Sequence, residues 1–196
     1  MRTALAACLL LLAACSPGGA DVAGKPDPSC FRRSSLAIGG PFQLTSSDGR
    51  ALTEKNFAGR KAIVFFGYTY CPDVCPLALF NLGKAMEDVP EAKRPVTLFV
   101  SVDPARDTPE KLEQYIHSNG FPKDIVALTG SLEQLGAMSE HFPPRFEPAD
   151  PARDGPGYQV GHSPILYLMD ANWKLQTFFR DSEPPKQIAA CLSALD

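Results

Sequence analysis

The chain has 196 residues and a formal net charge of −3 at pH 7, with 44% hydrophobic and 21% charged residues. This length suggests one domain with additional segments, and the apolar content is sufficient for a sizeable core. The slightly acidic balance argues against nucleic acid as a partner, because nucleic-acid-binding proteins usually carry a basic surface.

The first residues have the features of a lipoprotein signal. Arg2 supplies a positive start, and Ala4 to Ala14 is an apolar run too short to be a stable membrane span. The run ends in Leu-Ala-Ala before Cys15, which resembles the lipobox of bacterial lipoproteins, where cleavage precedes a cysteine that is then acylated. A plain secretion signal is the alternative. Both interpretations predict an extracytoplasmic domain in an oxidising environment.

We therefore predict three parts of the chain. Residues 1–14 are the signal peptide, and residues 15–35, rich in Pro, Gly and Ser, form a tether behind the lipidated Cys15. Residues 36–196 are the folded domain. Lipid on Cys15 would anchor the protein to a membrane, on the periplasmic side in a Gram-negative cell.

The N-terminal part of the domain has hairpin and strand patterns. Ile38–Leu44 and Arg50–Thr53 flank a Ser-Ser-Asp-Gly turn, which predicts a short β-hairpin. Ile63–Gly67 is an apolar run of β-branched and aromatic residues, which predicts a buried strand. Apolar residues then recur at helical spacing to about Val89, and Pro76 is predicted to begin this helix because proline is favoured at the first helical position.

The remaining elements alternate. We predict strands at Val96–Val102, Ile125–Leu128, Ile165–Met169 and Lys174–Phe179, and helices at Pro109–Ser118, Ser131–His141 and Lys186–Leu195. Thr108 is the predicted cap of the first of these helices, and Ser131 with Gln134 forms a capping box for the second. Pro143–Gly157 lacks periodicity and is predicted to be a surface loop long enough to have a function.

This order is that of a thioredoxin-like α/β fold with an added N-terminal β-hairpin and an inserted strand and helix. Its most informative stretch is residues 61–76, KAIVFFGYTYCPDVCP, which places Cys71 and Cys75 at a strand-to-helix turn. A helix N-terminus favours thiolate, which is both a nucleophile and a metal ligand. Reversible disulfide chemistry and soft-metal binding both fit, and a structural disulfide is the alternative.

The other cysteines suggest a second pair. Cys8 lies in the signal peptide and Cys15 is the lipidation site, so Cys30 and Cys191 remain once Cys71 and Cys75 are set aside. We predict a disulfide between Cys30 and Cys191 that would stabilise the fold by roughly 4–5 kcal/mol on the chain-entropy model. Two unrelated thiols are the alternative.

His162 is the candidate third ligand beside Cys71 and Cys75. It precedes the strand expected beside Ile63–Gly67, so it should reach the same sheet edge as the thiols. His117 is predicted to be solvated and His141 to end a helix. Two thiolates with one imidazole suit Cu(I), whereas structural zinc normally has four protein ligands. A loop histidine bonded to backbone is the alternative for His162.

These residues resemble the Sco (SenC) copper proteins of cytochrome c oxidase assembly. The similar segments are FFGYTYCPDVCP at 65–76, FVSVDPARDTPE at 99–110, LTGS at 128–131 and HSPILYLMD at 162–170. The resemblance implies a thioredoxin-like domain that binds one copper ion through Cys71, Cys75 and His162. It also implies delivery of copper to the CuA site of oxidase subunit II, or reduction of that subunit's cysteines.

The chain also departs from the family pattern. Gly161 stands where members commonly have Asp before the ligand histidine, and that acid can orient the imidazole. Many members have a transmembrane anchor in place of a lipid. Asp73 matches the family motif, and its carboxylate is expected to raise the thiol pKa and is able to bond backbone amides beside the thiols; a simple turn residue is the alternative. Asp103 and Arg106-Asp107 are expected to shape a loop and to be available to a partner.

The sequence therefore predicts a copper metallochaperone that holds Cu(I), with Cu(II) left open as a second state. Another copper chaperone or a thiol reductase is a further expected partner. Three functions remain open at this point. A thiol–disulfide reductase would use Cys71 to attack and Cys75 to resolve the mixed disulfide. A redox or copper sensor would need the same site, so whether the protein is an enzyme is not decided.

Overall fold

The structure, a computed structural model, describes residues 30, 37–144, 146, 148–154, 157–161 and 164–195. The strands are β1 (Gln43–Ser46), β2 (Ala51–Thr53), β3 (Ala62–Gly67), β4 (Val96–Ser101), β5 (Ile125–Thr129), β6 (Ile165–Met169) and β7 (Leu175–Arg180). The α-helices are α1 (Val74–Glu87), α2 (Pro109–Ile116), α3 (Leu132–Ser139), α4 (Pro151–Asp154) and α5 (Pro185–Ala194). Single 3-10 turns lie at Glu54–Phe57 and Glu91–Lys93.

The strands form one mixed sheet in the order β2-β1-β5-β4-β3-β6-β7. β3, β4 and β5 run parallel, whereas β6 pairs antiparallel with β3, and β1 pairs antiparallel with β5. The predicted α/β fold class is confirmed. The N-terminal hairpin β1–β2 extends the sheet through β5, the additional strand that precedes α3, so the hairpin and the inserted strand together widen one side of the sheet.

The central strands are buried on both faces. Every residue of β3 and of β4 is buried, because helices cover both sides of the parallel part of the sheet. α1 packs against α5, and α2 packs against β5. The apolar runs that predicted these two strands are therefore explained by burial on both faces, in contrast to the alternation expected when one face meets solvent.

Helix α1 begins two residues before the predicted start. Its first residue is Val74 and Asp73 precedes it, so Pro76 is the third helical residue and the prediction of Pro76 as first was wrong. Proline is tolerated there because N–H groups of the first helical turn have no partner within the helix. The buried face of the helix begins at Cys75.

The far half of α1 makes a close backbone contact. A Cβ atom on Gly83 would lie 1.9 Å from the carbonyl oxygen of Gly120, so only glycine fits at position 83. Gly120 itself has a positive φ of 85°, a conformation that favours glycine. α1 is thus seated directly against the chain that follows α2.

The segment predicted to be a surface loop is partly core. Phe146 is 7% exposed, and its ring lies 4.4 Å from the ring of Phe66. Phe142, directly before the segment, is 0% exposed and lies 5.3 Å from the same ring. The Ala149 N–H donates to the Val102 carbonyl at 2.8 Å. The prediction of a surface loop over 143–157 was therefore wrong for this part, because aromatic anchors without helical or strand spacing hold it to the sheet.

The signal peptide, Cys15 and every residue of the predicted tether except Cys30 lie outside the described residues, so their predicted roles stay predictions. Cys30 and Cys191 are both described and are 3% and 1% exposed. The structure gives them as thiols, and the predicted disulfide between them also stays a prediction. Across the part of the chain that is described, no helix has both the length and the apolar character needed to cross a membrane.

Candidate metal and redox site

Cys71 and Cys75 lie at the carboxyl end of β3, where ligand sites of α/β sheets are commonly found. After Gly67 the chain turns at residues 68–73, here called the cysteine turn, in which the Cys71 N–H donates to the Tyr68 carbonyl at 3.1 Å. Cys71 is 8% exposed and Cys75 is 0% exposed. The predicted strand-to-helix position of both thiols is confirmed, and Cys71 is the one that reaches solvent.

The start of α1 directs a hydrogen-bond donor at Cys71. The backbone N–H of Cys75 lies 3.3 Å from the Cys71 sulfur. A donor at a helix N-terminus interacts more strongly with a thiolate than with a thiol, because the thiolate carries the charge. The spacing of four residues therefore lets the helix stabilise a charged Cys71 sulfur.

Cys75 holds its proton strongly. The hydrogen bond with Cys71 raises the pKa of Cys75, and burial and the charge of Asp107 act in the same direction. Cys75 accordingly keeps its proton at neutral pH until Cys71 reacts or a metal ion displaces the proton. This division of roles fits either a thiol pair that closes on a metal ion or an attacking and a resolving thiol.

Gly67 makes room for the Cys75 sulfur. A Cβ atom on Gly67 would lie 2.8 Å from Cys75 Sγ and 2.7 Å from Phe99 Cε2, both closer than such atoms approach in proteins. Sequence reasoning treated Gly67 only as the end of a strand. A glycine that ends a buried strand just before two cysteines was the available signal for this close packing.

The buried side chain of Asp107 holds the cysteine turn through hydrogen bonds. It is 1% exposed, and its carboxylate accepts hydrogen bonds from the Thr69 N–H at 3.0 Å, the Thr69 hydroxyl at 2.6 Å and the Ser101 hydroxyl at 2.5 Å. Burial raises the pKa of Asp107, whereas these donors act against that shift. Asp107 thus links the cysteine turn to the end of β4.

A second buried carboxylate organises the Asp103–Arg106–Tyr158 cluster, a name used here for these three residues. Asp103 is 0% exposed, and it accepts hydrogen bonds from Arg106 Nε and, at 2.5 Å, from the Tyr158 hydroxyl. Burial, followed by the bond to Asp103, raises the pKa of Tyr158 to about 12. The loop-shaping role predicted for Asp103 and Asp107 is supported, but their burial excludes direct contact of these carboxylates with a partner.

Asp73 does not make the hydrogen bonds predicted for it at the start of α1. Its side chain is exposed and makes no capping hydrogen bond at the start of α1, although bonds to backbone amides were expected. The charge of the buried Asp107 helps to raise the pKa of Cys75, since solvent screens charge less effectively in the interior. The effect predicted for Asp73 on the thiol pKa stays a prediction.

His162 lies outside the described residues, so its predicted contact with the thiols stays a prediction. β6 pairs with β3 in a register that joins Phe65 to Leu166, so β6 begins at the sheet edge where β3 ends. Within the described residues, no cluster of three or more His, Cys, Asp or Glu side chains could hold a metal ion. The prediction for His117 is confirmed, since it is exposed and bonds Glu113 at 2.9 Å.

His141 was predicted to end a helix, but it lies two residues after the last residue of α3 and has a packing role. Its ring fills the space that a Cβ atom on Gly40 would need, at 2.4 Å from the ring carbon Cγ. Its carbonyl also accepts the Gly39 N–H at 3.0 Å. His141 therefore belongs to the packing of the N-terminal segment.

The SCO1/SenC family model matches residues 32–195. The chain belongs to the SCO1/SenC family. Among its relatives, Protein SCO1 homolog 1, mitochondrial, of Arabidopsis thaliana is 34% identical over 161 residues, which are 81% of this chain and 46% of the relative. The chain thus spans about half the length of that relative.

Solved structures agree with this family assignment. ScoI of Bradyrhizobium japonicum, solved with copper bound, is 35% identical with a TM-score of 0.68, and the match covers 80% of this chain and 98% of that structure. A SCO1/SenC family lipoprotein of Bacillus anthracis is 27% identical with a TM-score of 0.67, covering 82% and 95%. The expected family and the thioredoxin-like fold are therefore confirmed.

Proposed function

We propose that this protein binds one copper ion through Cys71, Cys75 and His162 and passes it to the CuA site of cytochrome c oxidase subunit II. The observation that carries the proposal is the pair of thiols at the carboxyl end of β3. One sulfur accepts a helix N-terminal N–H, and the other is buried beside it. Family membership and the copper found in a related ScoI structure support this choice of metal.

The donor atoms suit copper as a cargo. Two soft sulfur ligands favour Cu(I), which accepts low coordination numbers, and Cu(II) remains a second candidate state. Binding requires both thiols to lose their protons, and the N–H of Cys75 offsets part of the negative charge on the Cys71 sulfur. His162 completes the set without the carboxylate that would orient it, because Gly161 precedes it.

Transfer to the partner is ligand exchange. Cys71 reaches solvent and Cys75 does not, so an acceptor thiol would approach the ion from the side of Cys71. Lipid on Cys15 would hold the protein at the membrane surface on the extracytoplasmic side, and another copper chaperone or a thiol reductase would load or reduce the site. A lipoprotein among the related solved structures supports this location.

The second candidate is a thiol–disulfide reductase, which the unequal thiols favour. The Cys71 thiolate would attack one sulfur of a disulfide in the oxidase subunit or another extracytoplasmic protein, releasing the other sulfur as a thiolate that takes a proton. Cys75 would then lose its proton and attack Cys71, releasing the second thiol and closing the Cys71–Cys75 disulfide. A thiol reductase supplies the two electrons that restore the dithiol.

A Cu(I) competition titration of the reduced chain against a colorimetric chelator tests the proposal. We would compare wild type with Cys75→Ser and His162→Ala, using His117→Ala as the matched control because that histidine is exposed and bonds Glu113 on the surface of the protein. We expect tight one-to-one binding that Cys75→Ser abolishes, His162→Ala weakens and His117→Ala leaves unchanged.

Other outcomes discriminate between the two functions. Weak binding in wild type, or affinity that His162→Ala leaves unchanged, contradicts the proposed three-ligand site. Turnover of a protein disulfide by the copper-free dithiol, lost in Cys71→Ser, would support the reductase.

A further inference from the structure

We propose that Arg106 and Tyr158 are positioning residues, which hold the chain before His162 against the cysteine turn through the buried carboxylate of Asp103. The inference rests on the proposed function only for the role of His162 as a ligand. The contacts that carry it lie among described residues on three parts of the chain, namely the cysteine turn, the loop after β4 and residues 157–161.

Asp103 is the fixed point of this arrangement. It follows β4 and is 0% exposed, and its two carboxylate oxygens are used by different donors. Oδ1 accepts the Tyr158 hydroxyl at 2.5 Å, and Oδ2 accepts Arg106 Nε. A buried carboxylate is stable only when its oxygens are bonded, so Asp103 requires both donors in place. The Tyr158 side chain is thereby tied to the end of a central strand.

Arg106 holds Tyr158 in two further ways. Its Nη1 donates to the Tyr158 carbonyl at 3.2 Å, and its guanidinium lies 3.8 Å from the centre of the Tyr158 ring. A planar guanidinium can bond a carboxylate and stack on an aromatic face at the same time, which an ammonium group cannot do. Backbone and side chain of Tyr158 are therefore both fixed by one arginine.

The same segment is fixed to the cysteine turn. The Tyr68 hydroxyl donates to Gln159 Oε1 at 3.0 Å, and Val160 is only 8% exposed and bonds Tyr68 through its backbone. The Arg106 guanidinium also lies 5.0 Å from the ring of Tyr70, the residue before Cys71. Residues 158–160 thus contact the residues that lead directly into the first thiol.

The chain length limits where His162 can go. His162 is two positions after Val160, a reach of about 7 Å in an extended chain. Because Val160 is held beside Tyr68, this reach sets an upper limit on how far from the cysteine turn the chain can carry His162. Gly161 provides no carboxylate that could orient the histidine after it. We therefore infer that the Asp103–Arg106–Tyr158 cluster orients His162 by holding the preceding residues in place.

Hydrogen exchange of the copper-free, reduced protein tests the arrangement itself. Tyr158→Phe keeps the ring and removes the bond to Asp103, and we expect the Val160 and Gly161 amides to exchange roughly tenfold faster. Tyr115→Phe is the matched control, because the Tyr115 hydroxyl is buried and has no hydrogen-bond partner within the described residues. Unchanged exchange in both Tyr158→Phe and Arg106→Lys would overturn the inference.

A double-mutant cycle tests whether Tyr158 affects copper binding through His162. In Cu(I) titrations we expect Tyr158→Phe to weaken affinity roughly tenfold in wild type and to have no effect in the His162→Ala background. An equal loss in both backgrounds would mean a general structural effect and would overturn the positioning role. If wild type binds no Cu(I), the proposed function fails, while the exchange experiment still decides whether the cluster holds the segment.

Discussion

The four cysteines that the structure describes form two sets that burial alone does not distinguish. Cys30 and Cys191 are 3% and 1% exposed, and Cys71 and Cys75 are 8% and 0% exposed. The difference lies in the surroundings. Cys71 and Cys75 stand at a strand-to-helix turn with an N–H directed at one sulfur, whereas Cys191 lies within α5 and Cys30 lies near the start of the domain.

This contrast shows that chemistry at a thiol depends on its position in the fold. A helix N-terminus, a partly open edge and a second sulfur give Cys71 and Cys75 a route to reaction or to metal binding. Cys30 and Cys191 belong to the hydrophobic core and are expected to act on stability alone. The predictions below separate these two roles, starting with the largest effect.

The Cys30–Cys191 disulfide should change stability without changing the site. In a Cys71→Ser/Cys75→Ser background, we expect oxidation to raise the free energy of unfolding by roughly 4–5 kcal/mol, because the closed loop is long. Urea unfolding of the oxidised and the reduced protein measures this difference. When Cys191→Ala is added as a control, the oxidised and reduced proteins should have the same free energy of unfolding. The same result in the Cys71→Ser/Cys75→Ser protein itself would rule out the disulfide.

Gly67→Ala should disturb the packing around the Cys75 sulfur. The added Cβ would come within 2.8 Å of the Cys75 sulfur, so we expect a loss of about 1–3 kcal/mol in unfolding free energy. Gly136→Ala is the matched control, because a Cβ there meets no atom within 4 Å and alanine is favoured inside α3 by up to about 1 kcal/mol. Equal stability of Gly67→Ala and wild type, measured by urea unfolding, would contradict the packing described.

Alkylation rates should rank the thiols. In the reduced protein at pH 7 we expect iodoacetamide to modify Cys71 at least about tenfold faster than Cys75. The raised pKa and burial of Cys75 lower its thiolate fraction, and each pKa unit corresponds to a factor of ten. Timed quenching and peptide mass spectrometry give both rates, with Cys191 as an internal buried reference. Faster modification of Cys75 would reverse the proposed roles.

Alkaline pH should weaken the Asp103–Arg106–Tyr158 cluster slightly. The fold raises the pKa of Tyr158 from 10.0 to about 12. Between these two pKa values the Tyr158 hydroxyl is ionised in the unfolded chain but not in the folded one. Its contribution to the free energy of unfolding is therefore complete below pH 10 and declines as the pH rises towards 12. The effect is small because Tyr158 is partly exposed.

Urea midpoints at pH 9 and pH 11 measure this contribution. We expect a smaller decrease in Tyr158→Phe than in wild type, because phenylalanine cannot ionise, while the other tyrosines are common to both proteins. Parallel decreases in the two proteins would show that Tyr158 does not contribute.

The regular elements were predictable because their signals are local. The capping box of Ser131 and Gln134 and the Thr108 cap are present as expected, and β6 has the predicted bounds. β1 was less predictable, since it begins at Gln43 where the hairpin was expected from Ile38. The apolar residues before β1 are buried by side-chain packing, such as Phe42 on Trp173 at 5.5 Å, and not by strand pairing.

The supporting residues of the site were less predictable because their roles arise from tertiary contacts. The two thiols were identified from one motif, but the burial of Asp103 and Asp107 depends on the meeting of β4, the cysteine turn and residues 157–161. Phe146 was likewise placed in a loop, since one aromatic without periodicity does not indicate burial. A sequence pattern shows which residue types follow one another, whereas partners distant along the chain decide which charges become buried.

The backbone contact between Gly83 and Gly120 has a mechanical consequence for the thiols. Cys75 and Gly83 are eight residues apart on one rigid helix, a distance of about 12 Å. Because the Gly120 carbonyl lies directly against α1 at Gly83, we expect this helix, and the Cys75 sulfur that it carries, to keep its place when the Cys71 sulfur reacts. If copper binds as proposed, we expect Cys75 to be the last ligand that releases it.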